Sequence, residues 1–375
     1  MKSIIDIPDL SVEEIDELIA TAGDIAASPA KYAKSCEGKI LATLFYEPST
    51  RTRLSFTAAM MELGGNVLGF SDPGSSSAVK GESVADTARV VSCYADIIAM
   101  RSPKEGAAFV AAKNASIPVI NTGDGGHAHP TQTLGDLFTI YREKGHFDNL
   151  TVGFCGDLKY GRTVHSLIEA MSRYSGVKFV LISPDALKLP TFVKYETLAR
   201  HNVEYEETSS LEGALPSLDI LYMTRIQKER FSDPAEYERL KDSYILTVDK
   251  LSSAKSDLCI MHPLPRVNEI SVKVDSDPRA CYFKQVENGK YMRMALILKL
   301  LDLAEKTPEA EDLLAGRDVL INEITCDNPR CITATEQELD HVFRVVDAEA
   351  GICRCVYCEK KVKVDSEMMK RVVRR

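Results

Sequence analysis

The sequence lacks three features that mark particular classes of protein. It has no uninterrupted apolar run of about 18 residues, so no membrane-spanning helix is predicted. Residues 1–20 are acidic and lack the basic start, apolar core and small-residue cleavage site of a signal peptide. The net charge is −9, which argues against nucleic acid as the main partner. We therefore expect a cytoplasmic protein with neither a membrane nor a nucleic-acid partner.

The composition is that of an ordinary soluble protein, with 45% hydrophobic and 27% charged residues. At about 100–200 residues per domain, the 375 residues suffice for two or three domains. Short apolar runs alternate with segments of helical period, and polar loops follow the runs. This order predicts an α/β fold of two doubly wound parallel-sheet domains, followed by a small β-rich, cysteine-rich C-terminal domain.

One stretch in the first half has the make-up of an anion site. A predicted strand, Lys39–Phe45, leads into Ser49-Thr50-Arg51-Thr52-Arg53, and a predicted helix runs from Arg53 to Leu63. A hydroxyl residue at this turn would cap the helix, and two arginines and the free N–H groups of the first turn would converge there. Phosphate is the expected anion, although an ordinary cap flanked by two solvated arginines would have the same sequence.

Further polar segments follow other predicted strands. In the first half these are the loop 71–81, Arg101, and His129 to Gln132; in the second half they are 156–162, 224–227 and 262–266. In doubly wound sheets, ligands bind beyond the carboxyl ends of the strands. The arrangement favours the phosphate interpretation, and we expect the active site between the two α/β domains.

These segments resemble the motifs of the transcarbamoylase family, and most closely its aspartate carbamoyltransferases, over about residues 1–306. The motifs are Ser49–Arg53, His129-Pro130-Thr131-Gln132, Gly156–Ser166, Met223–Arg230 and His262-Pro263-Leu264-Pro265-Arg266. The resemblance implies that carbamoyl phosphate and L-aspartate give N-carbamoyl-L-aspartate and phosphate, an early step of pyrimidine synthesis. It also implies domains at 1–133 for carbamoyl phosphate, with the 286–304 helix packing back on it, and at 134–285 for aspartate.

The resemblance assigns roles residue by residue. Carbamoyl phosphate would be bound by Ser49, Thr50, Arg51, Thr52, Arg101, His129, Gln132 and Ser76. Aspartate would be bound by Lys80, Arg162, Arg225, Gln227, Leu264 and Pro265. Lys80 and Ser76 would come from a neighbouring subunit, which implies a homotrimer with shared active sites; Ser75 and Ser77 are alternatives to Ser76.

The chemistry of transfer suits these residue types. Thr52, Arg101 and His129, with Lys80, form the predicted catalytic set, because donors at the carbonyl oxygen stabilise the tetrahedral oxyanion. The amine of aspartate is itself the nucleophile, so no reactive serine or cysteine is required, and positioning carries most of the rate enhancement. Aspartate has two carboxylates, which suit the forked donors of arginine.

Ornithine carbamoyltransferase, or a transferase for another amino acid, is the alternative enzyme. Ornithine enzymes have His-Cys-Leu-Pro where this chain has His262-Pro263-Leu264-Pro265, and they bind a cationic substrate through acidic side chains. Arg162 and Arg225 therefore favour aspartate.

Ten cysteines are present, and the last five lie within 326–358. We expect the first five to be buried free thiols. Cys326-x4-Cys331 and Cys355-x2-Cys358 predict a tetrahedral thiolate site for one structural zinc ion per chain, with no organic cofactor and with Cys353 not a ligand.

The tail, 317–375 after a linker at 305–316, resembles the zinc domain of the aspartate carbamoyltransferase regulatory chain. The nucleotide-binding domain of that chain is missing here, so we expect no ATP or CTP control unless a partner supplies it. The alternative is a nucleic-acid-binding zinc ribbon, because Lys370–Arg375 is a basic cluster.

Overall fold

A computed structural model describes residues 2–72, 74, 77–226, 233–242, 244–307, 312–336 and 338–375. The chain divides into two compact units. The first contains residues 1–9, 28–130 and 296–375, and the second contains 10–27 and 131–295. Within the described ranges, no helix has the length and apolar character needed to cross a membrane.

Helices and strands alternate through the first three quarters of the chain. The helices are α1 Val12–Ala27, α2 Thr50–Glu62, α3 Val84–Val91, α4 Ala107–Asn114, α5 Pro130–Lys144, α6 Arg162–Met171, α7 Thr191–Val193, α8 Leu211–Ala214, α9 Pro234–Leu240, α10 Tyr282–Lys306 and α11 Ser366–Met369. The strands are β1 Ile40–Phe45, β2 Asn66–Phe70, β3 Ile97–Ser102, β4 Val119–Asp124, β5 Thr151–Cys155, β6 Lys178–Ile182, β7 Glu204–Thr208, β8 Ile220–Met223, β9 Cys259–Met261, β10 Asp318–Ile321, β11 Val342–Asp347, β12 Ile352–Cys355, β13 Lys361–Lys363 and β14 Val373–Arg374.

The first unit contains a four-stranded parallel sheet in the order β2-β1-β3-β4. Five of the six residues of β1 are buried, as expected for a strand covered on both faces. In register, Phe45 at the end of β1 pairs with Arg101 near the end of β3. The loops after β1 and β3 therefore emerge at the same edge of the sheet.

The cysteine-rich tail belongs to the same unit. It forms a five-stranded antiparallel sheet in the order β13-β12-β11-β10-β14. One continuous apolar core joins this sheet to the first one, and it includes Val110 of α4, Phe343 of β11 and Tyr357. The aromatic rings of Phe109 and Tyr357 meet edge to face across this junction, 5.4 Å between centroids.

The second unit holds a five-stranded parallel sheet in the order β7-β6-β5-β8-β9. The chain runs from β5 through β6 to β7 at one edge and then crosses to β8 on the other side of β5. The strand order therefore reverses between β5 and β8, and the loops after these two strands lie where doubly wound sheets bind ligands. The predicted fold class is confirmed: two parallel α/β sheets and a small antiparallel β domain.

Several predicted details are wrong. Helix α2 begins at Thr50, three residues before the predicted start, so Thr50, Arg51 and Thr52 all lie in its first turn. Ser49 is at the N-cap position, but its side chain makes no capping hydrogen bond. Cys93 is exposed, whereas Cys36, Cys155, Cys259 and Cys281 are buried as expected.

The domain boundaries at 133, 285 and 317 stay predictions. The division into compact units groups residues 10–27 with the second unit and 296–375 with the first, and it divides α10. The predicted linker at 305–316 lies partly outside the described residues, since 308–311 are not described.

Candidate active site

The turn after β1 places the amino end of α2 at the edge of the first sheet. The backbone N–H of Arg53 donates to the carbonyl of Ser49 at 3.1 Å, which closes the first helical turn. The preceding N–H groups of a helix have no partner within the helix, and they carry the positive end of its dipole. The Ser49 hydroxyl does not cap them, and Thr52 is buried nearby on the same turn. This end of the helix is suited to an anion.

Arg101 and His129 lie together beside this sheet edge. Arg101 Nη1 is 3.5 Å from His129 Nε2 and donates to the carbonyl of Thr122 at 3.3 Å. Its Nη2 forms a 2.5 Å ion pair with Glu47, in the loop that precedes α2. The guanidinium is therefore held from three sides, next to a buried imidazole.

Two arginines share this site. Burial lowers the pKa of Arg51, and the positive charge of Arg101 lowers it further. This means that the two guanidinium groups repel each other, and an anion with two charges would relieve that repulsion. In addition, the Nε atoms of Arg53 and Arg101 are buried and have no hydrogen-bond partner among the residues that the structure describes. The chemistry of the donor set fits a phosphate group.

In the second unit, Arg162, Arg225 and Leu264 follow the ends of β5, β8 and β9. Arg162 is the first residue of α6, and Arg225 comes two residues after β8. The hydroxyl of Thr224 donates to the carbonyl of Cys155 at 3.0 Å and accepts from the N–H of Asp157 at 2.9 Å. These bonds tie the ends of neighbouring strands β5 and β8 together, so the loops carrying Arg162 and Arg225 start from the same place.

The loop after β9 is held by buried hydrogen bonds. His262 Nε2 is 2.7 Å from Glu269 Oε1, and the N–H of Leu264 donates to His262 Nδ1 at 2.8 Å. Leu264 has a φ of 48°, which is rare for a residue with a branched side chain. Such conformations concentrate at ligand sites, where the surrounding contacts maintain them. His262 thus supports the loop that carries Leu264 and Pro265.

A fully buried carboxylate lies one turn after Gln132 on α5. Asp136 Oδ1 accepts from Gln132 Nε2 at 2.7 Å and from Gln285 Nε2 at 2.6 Å. Its Oδ2 accepts from the hydroxyl of Tyr222 at 2.8 Å. Burial raises the pKa of Asp136 to about 6, although these three donors oppose the shift. Both carboxylate oxygens of Asp136 therefore have hydrogen-bond donors against them.

The four predicted metal ligands come together in the tail. The sulfur atoms of Cys326, Cys331, Cys355 and Cys358 all lie within 4.8 Å of one another, and all four residues are buried. The separations are 3.6 Å for Cys326–Cys358 and 3.9 Å for Cys331–Cys355. A tetrahedral site with Zn–S bonds of about 2.3 Å requires sulfur separations of about 3.8 Å. The cage fits zinc, and Cys353 is not one of the four sulfurs.

The segment with the first cysteine pair, Cys326–Cys331 (the first knuckle), is joined through Glu105 to the loop between β3 and α4. This buried carboxylate accepts from Asn328 Nδ2 at 2.6 Å and from the N–H of Gly126 at 3.1 Å, and it pairs with Arg330 at 3.2 Å. Next to it, Gly106 has a φ of 88°, and an added Cβ would lie 2.4 Å from Cβ of Tyr357. The metal-binding tail therefore packs on the loop before α4 without room for another atom.

A second buried ion pair lies close to this junction. His127 Nδ1 is 2.9 Å from Asp124 Oδ2, and Asp124 also accepts from the N–H groups of Gly106 and Ala128. Burial lowers the pKa of His127, but Asp124 outweighs it and raises the pKa to about 10. His127, for which sequence motifs suggest no role, is a charged residue that stabilises the loop carrying His129.

The structure thus brings together Ser49–Arg53, Arg101 and His129 in the first unit, and Gln132, Arg162, Arg225, Leu264 and Pro265 belong to the second. Lys80 ends a 3₁₀ turn and is exposed. The predicted residues Ser76 and Gln227 lie outside the described part of the chain. Sequence reasoning missed Glu47, Glu105, Asp136 and Gln285; of these, only Asp136 had a local signal, its position four residues after Gln132 on a helix.

Comparison with known families shows where this arrangement occurs. Residues 2–142 match the carbamoyl-P binding domain of aspartate/ornithine carbamoyltransferase, and residues 148–300 match its Asp/Orn binding domain. The chain belongs to this carbamoyltransferase family. Residues 318–367 match the metal binding domain of the aspartate carbamoyltransferase regulatory chain, so the resemblance of the tail is confirmed as well.

Individual carbamoyltransferases are similar over most of the chain. The catalytic subunit from Lachnoclostridium phytofermentans is 63% identical over 303 residues, which is 81% of this chain and 99% of that protein. The one from Clostridium acetobutylicum is 62% identical over 300 residues, 80% of this chain and 98% of that protein. Their name, aspartate carbamoyltransferase, agrees with the predicted enzyme class, and the chain is a carbamoyltransferase.

Solved structures share the fold. The catalytic subunit of M. jannaschii aspartate transcarbamoylase has a TM-score of 0.77 and 49% identity, covering 81% of this chain and 99% of its own. The Trypanosoma cruzi aspartate transcarbamoylase in complex with carbamoyl phosphate and aspartate has a TM-score of 0.75 and 38% identity, covering 80% and 96%.

Proposed function

We propose that this carbamoyltransferase moves the carbamoyl group from carbamoyl phosphate to the amine of L-aspartate. The observation that carries this proposal is the pair of mutually repelling arginines, Arg51 and Arg101, at the amino end of α2 beside His129. The site suits a doubly charged phosphate with a carbonyl attached to it. A carbamoyltransferase in the same family binds carbamoyl phosphate and aspartate. The product would enter pyrimidine synthesis.

The first substrate is positioned by the turn that opens α2. Ser49, Thr50, Arg51 and Thr52 bind the phosphate through hydroxyl, guanidinium and backbone donors. Arg101 and His129, with the hydroxyl of Thr52, direct donors at the carbonyl oxygen, where negative charge develops as the amine attacks. The departing phosphate accepts the proton that the amine loses. Gln132 binds the carbamoyl amide.

The second substrate is bound by cationic and backbone groups of the second unit. Arg162 and Arg225, helped by Gln227, bind the two carboxylates of aspartate, because a guanidinium fork matches a carboxylate. Leu264 and Pro265 approach the substrate from the loop that His262 and Glu269 hold in place. These interactions hold the amine within reach of the carbonyl carbon.

In the proposed homotrimer, each active site contains residues of two neighbouring subunits. We assign Lys80 and Ser76 to the site of a neighbouring subunit in a homotrimer, and the exposure of Lys80 supports a role outside its own subunit. Mixing two inactive variants, Lys80→Ala and Arg51→Ala, tests this directly. In shared sites, random mixing of subunits restores about a quarter of wild-type activity. If every site is built from one chain, mixing restores none.

The tail holds one structural zinc ion per chain and needs no organic cofactor. The four-thiolate cage and its sulfur separations support zinc. The tail stabilises the assembled enzyme, since it shares a core with the first sheet. In this proposal, residues 1–133 form the carbamoyl-phosphate domain, residues 134–285 the aspartate domain and residues 317–375 the zinc domain. No effector site for ATP or CTP is assigned.

Nucleic acid is not a partner in this proposal. The basic C-terminal cluster is largely neutralised within the tail, because Arg371 pairs with Glu323, Arg374 with Asp318 and Lys370 with Glu367. The chain acts in the cytoplasm, where its two small anionic substrates are available.

A parallel assay tests the proposed function. The wild-type chain is supplied with carbamoyl phosphate and either L-aspartate or L-ornithine, with and without CTP. N-Carbamoyl-aspartate is the expected product, with no response to CTP. Formation of citrulline from ornithine, without product from aspartate, would overturn the substrate assignment.

A further inference from the structure

Selection of a carbamoyl group over other acyl groups requires an acceptor that faces the NH2 group. Carbamoyl phosphate and acetyl phosphate have the same phosphate and the same carbonyl, and they differ only in NH2 against CH3. Donors from Thr52, Arg101 and His129 treat the two alike, because they address the shared carbonyl oxygen. The discrimination therefore has to come from the residue at the amide, which the proposed function assigns to Gln132.

A glutamine side chain can present either end of its amide. If Oε1 faces the substrate, it accepts a hydrogen bond from the NH2 group of carbamoyl phosphate. If Nε2 faces the substrate, two hydrogen-bond donors meet. The sequence position of Gln132 does not decide between the two. The choice is made by whatever binds the other end of the amide.

Asp136 makes that choice for Gln132. Its Oδ1 acts as an acceptor, because it faces the amide nitrogen of Gln285, and it lies 2.7 Å from the Gln132 amide nitrogen. Turning the Gln132 amide over would bring Oε1 against the carboxylate oxygen of the buried Asp136, which would replace a hydrogen bond with the repulsion of two acceptors. Gln132 is therefore locked with Nε2 toward Asp136, which leaves Oε1 as the end that can face a ligand.

The same carboxylate oxygen orients a second glutamine, Gln285, and hydrogen bonds at both ends of the Gln285 amide show its orientation. Gln285 Nε2 donates to Asp136 Oδ1 at 2.6 Å, and its Oε1 accepts from the N–H of His262 at 3.0 Å. Both bonds require the same amide orientation that Asp136 imposes on Gln132. The hydroxyl of Tyr222 donates to the other carboxylate oxygen, Oδ2.

We propose that Asp136 is a specificity-determining positioning residue, which fixes the amide of Gln132 so that the site accepts carbamoyl phosphate and discriminates against acetyl phosphate. This inference rests on the proposed function. Asp136 does not touch the substrate; it acts through Gln132. Reaction with acetyl phosphate serves as the probe: the amine of aspartate bonds to the acetyl carbon, the C–O bond to phosphate breaks, and the phosphate carries away the amine proton.

The test compares kcat/KM for carbamoyl phosphate and acetyl phosphate, with aspartate as acceptor, in the wild type and three variants. Asp136→Leu keeps the approximate shape but removes the acceptor, and we expect the preference for carbamoyl phosphate to fall about tenfold, as for the loss of one oriented hydrogen bond. Asp136→Asn can keep its oxygen toward the two glutamine donors while the Tyr222 hydroxyl turns round. We expect it to retain the preference within about threefold.

Tyr222→Phe is the matched control. It removes one buried hydrogen bond to Asp136 but leaves Oδ1 and both glutamines in place. We therefore expect the free energy of unfolding to fall, while the preference for carbamoyl phosphate over acetyl phosphate stays at the wild-type value. If Asp136→Leu does not fold, Asp136→Ala, which leaves room for water, is measured in its place, with the same expectation. A purely structural role would lower kcat/KM for both donors by the same factor in every variant.

Two outcomes separate this inference from the proposed function. If the wild type forms N-carbamoyl-aspartate but the preference is unchanged when the Asp136 acceptor is removed, the assignment of Asp136 is overturned and the proposed function stands. If the wild type forms no N-carbamoyl-aspartate, the proposed function fails, and this inference fails with it.

Discussion

Replacing Glu105 with alanine tests how firmly the metal-binding tail is held. The carboxylate connects Asn328 and Arg330 of the first knuckle with Gly126, in the loop that leads to His129. Hydrogen bonds to a charged group contribute about 1.5–3 kcal/mol each. The pair with Arg330, whose side chain is 59% exposed, adds little. The bonds from Asn328 and Gly126 are partly buried, so we expect the free energy that holds the knuckle in place to fall by about 3 kcal/mol, at the low end for two such bonds.

The assay is release of the bound metal to a coloured chelator, in the full-length protein. If metal release requires the knuckle to detach, about 3 kcal/mol accelerates it on the order of a hundredfold. Activity should fall as well, because Gly126 loses its acceptor near His129. Asp327→Asn is the control, because Asp327 lies on the same knuckle and the substitution removes an exposed ion pair with Lys360, 3.1 Å long. We expect it to change the rate of metal release less than fivefold, which corresponds to about 1 kcal/mol.

Equal release rates for Glu105→Ala and the wild type would refute this reasoning. Such a result would mean that the tail is held by its apolar core and by the backbone hydrogen bonds of Glu105 with Arg330 and Ile332, and that the carboxylate only satisfies its neighbours. Glu105→Gln should fall between the two, because its amide retains one acceptor but turns a donor toward one of the three partners.

Three further predictions follow from the site and the tail. Thr52→Val keeps the shape of a buried residue but removes a donor from the oxyanion, so kcat should fall about 100-fold with unchanged urea midpoint; an unchanged kcat would remove Thr52 from the mechanism. The pKa of His127 is raised to about 10 in the folded state from 6.5, so its stabilisation is complete below pH 6.5 and is lost as the pH rises toward 10. The urea midpoint of the wild type should therefore fall over this range, and that of His127→Gln should fall less; parallel curves would contradict the ion pair with Asp124. Removal of the metal should lower the melting temperature and the fraction of trimer, measured by scanning calorimetry and light scattering; chelation that changes neither would show that the metal has no structural role.

The parts of the site formed by contiguous residues could be predicted from the sequence. Ser49–Arg53 joins a strand to a helix, and the order of hydroxyls and arginines there indicates a phosphate site whether or not the helix begins at Thr50 or Arg53. Ser49 occupies the N-cap position, so α2 begins directly after it at Thr50, and the predicted start at Arg53 was three residues late. The spacing of the two cysteine pairs likewise predicted a metal site of four thiolates, and the four sulfur atoms do lie within 4.8 Å of one another.

The supporting residues could not be predicted, because their partners are far away in sequence. Gln285 meets Asp136 across 149 residues and Asn328 meets Glu105 across 223. No local pattern indicates that either carboxylate is buried, and an exposed glutamate or aspartate would have the same neighbours in sequence. Tertiary packing alone determines which carboxylates leave the surface, so only the spacing of Gln132 and Asp136 along one helix was available beforehand.

The central claim is that Arg51 and Arg101 bind carbamoyl phosphate, whereas Arg162 and Arg225 bind aspartate. Binding of phosphonoacetamide, a stable analogue in which CH2 replaces the bridging oxygen of carbamoyl phosphate, is measured by calorimetry in the absence of aspartate. The account predicts that Arg51→Gln weakens binding at least about tenfold, the equivalent of one charge-assisted hydrogen bond, and that Arg162→Gln leaves it unchanged. Unchanged binding in Arg51→Gln, with weakened binding in Arg162→Gln, would contradict it.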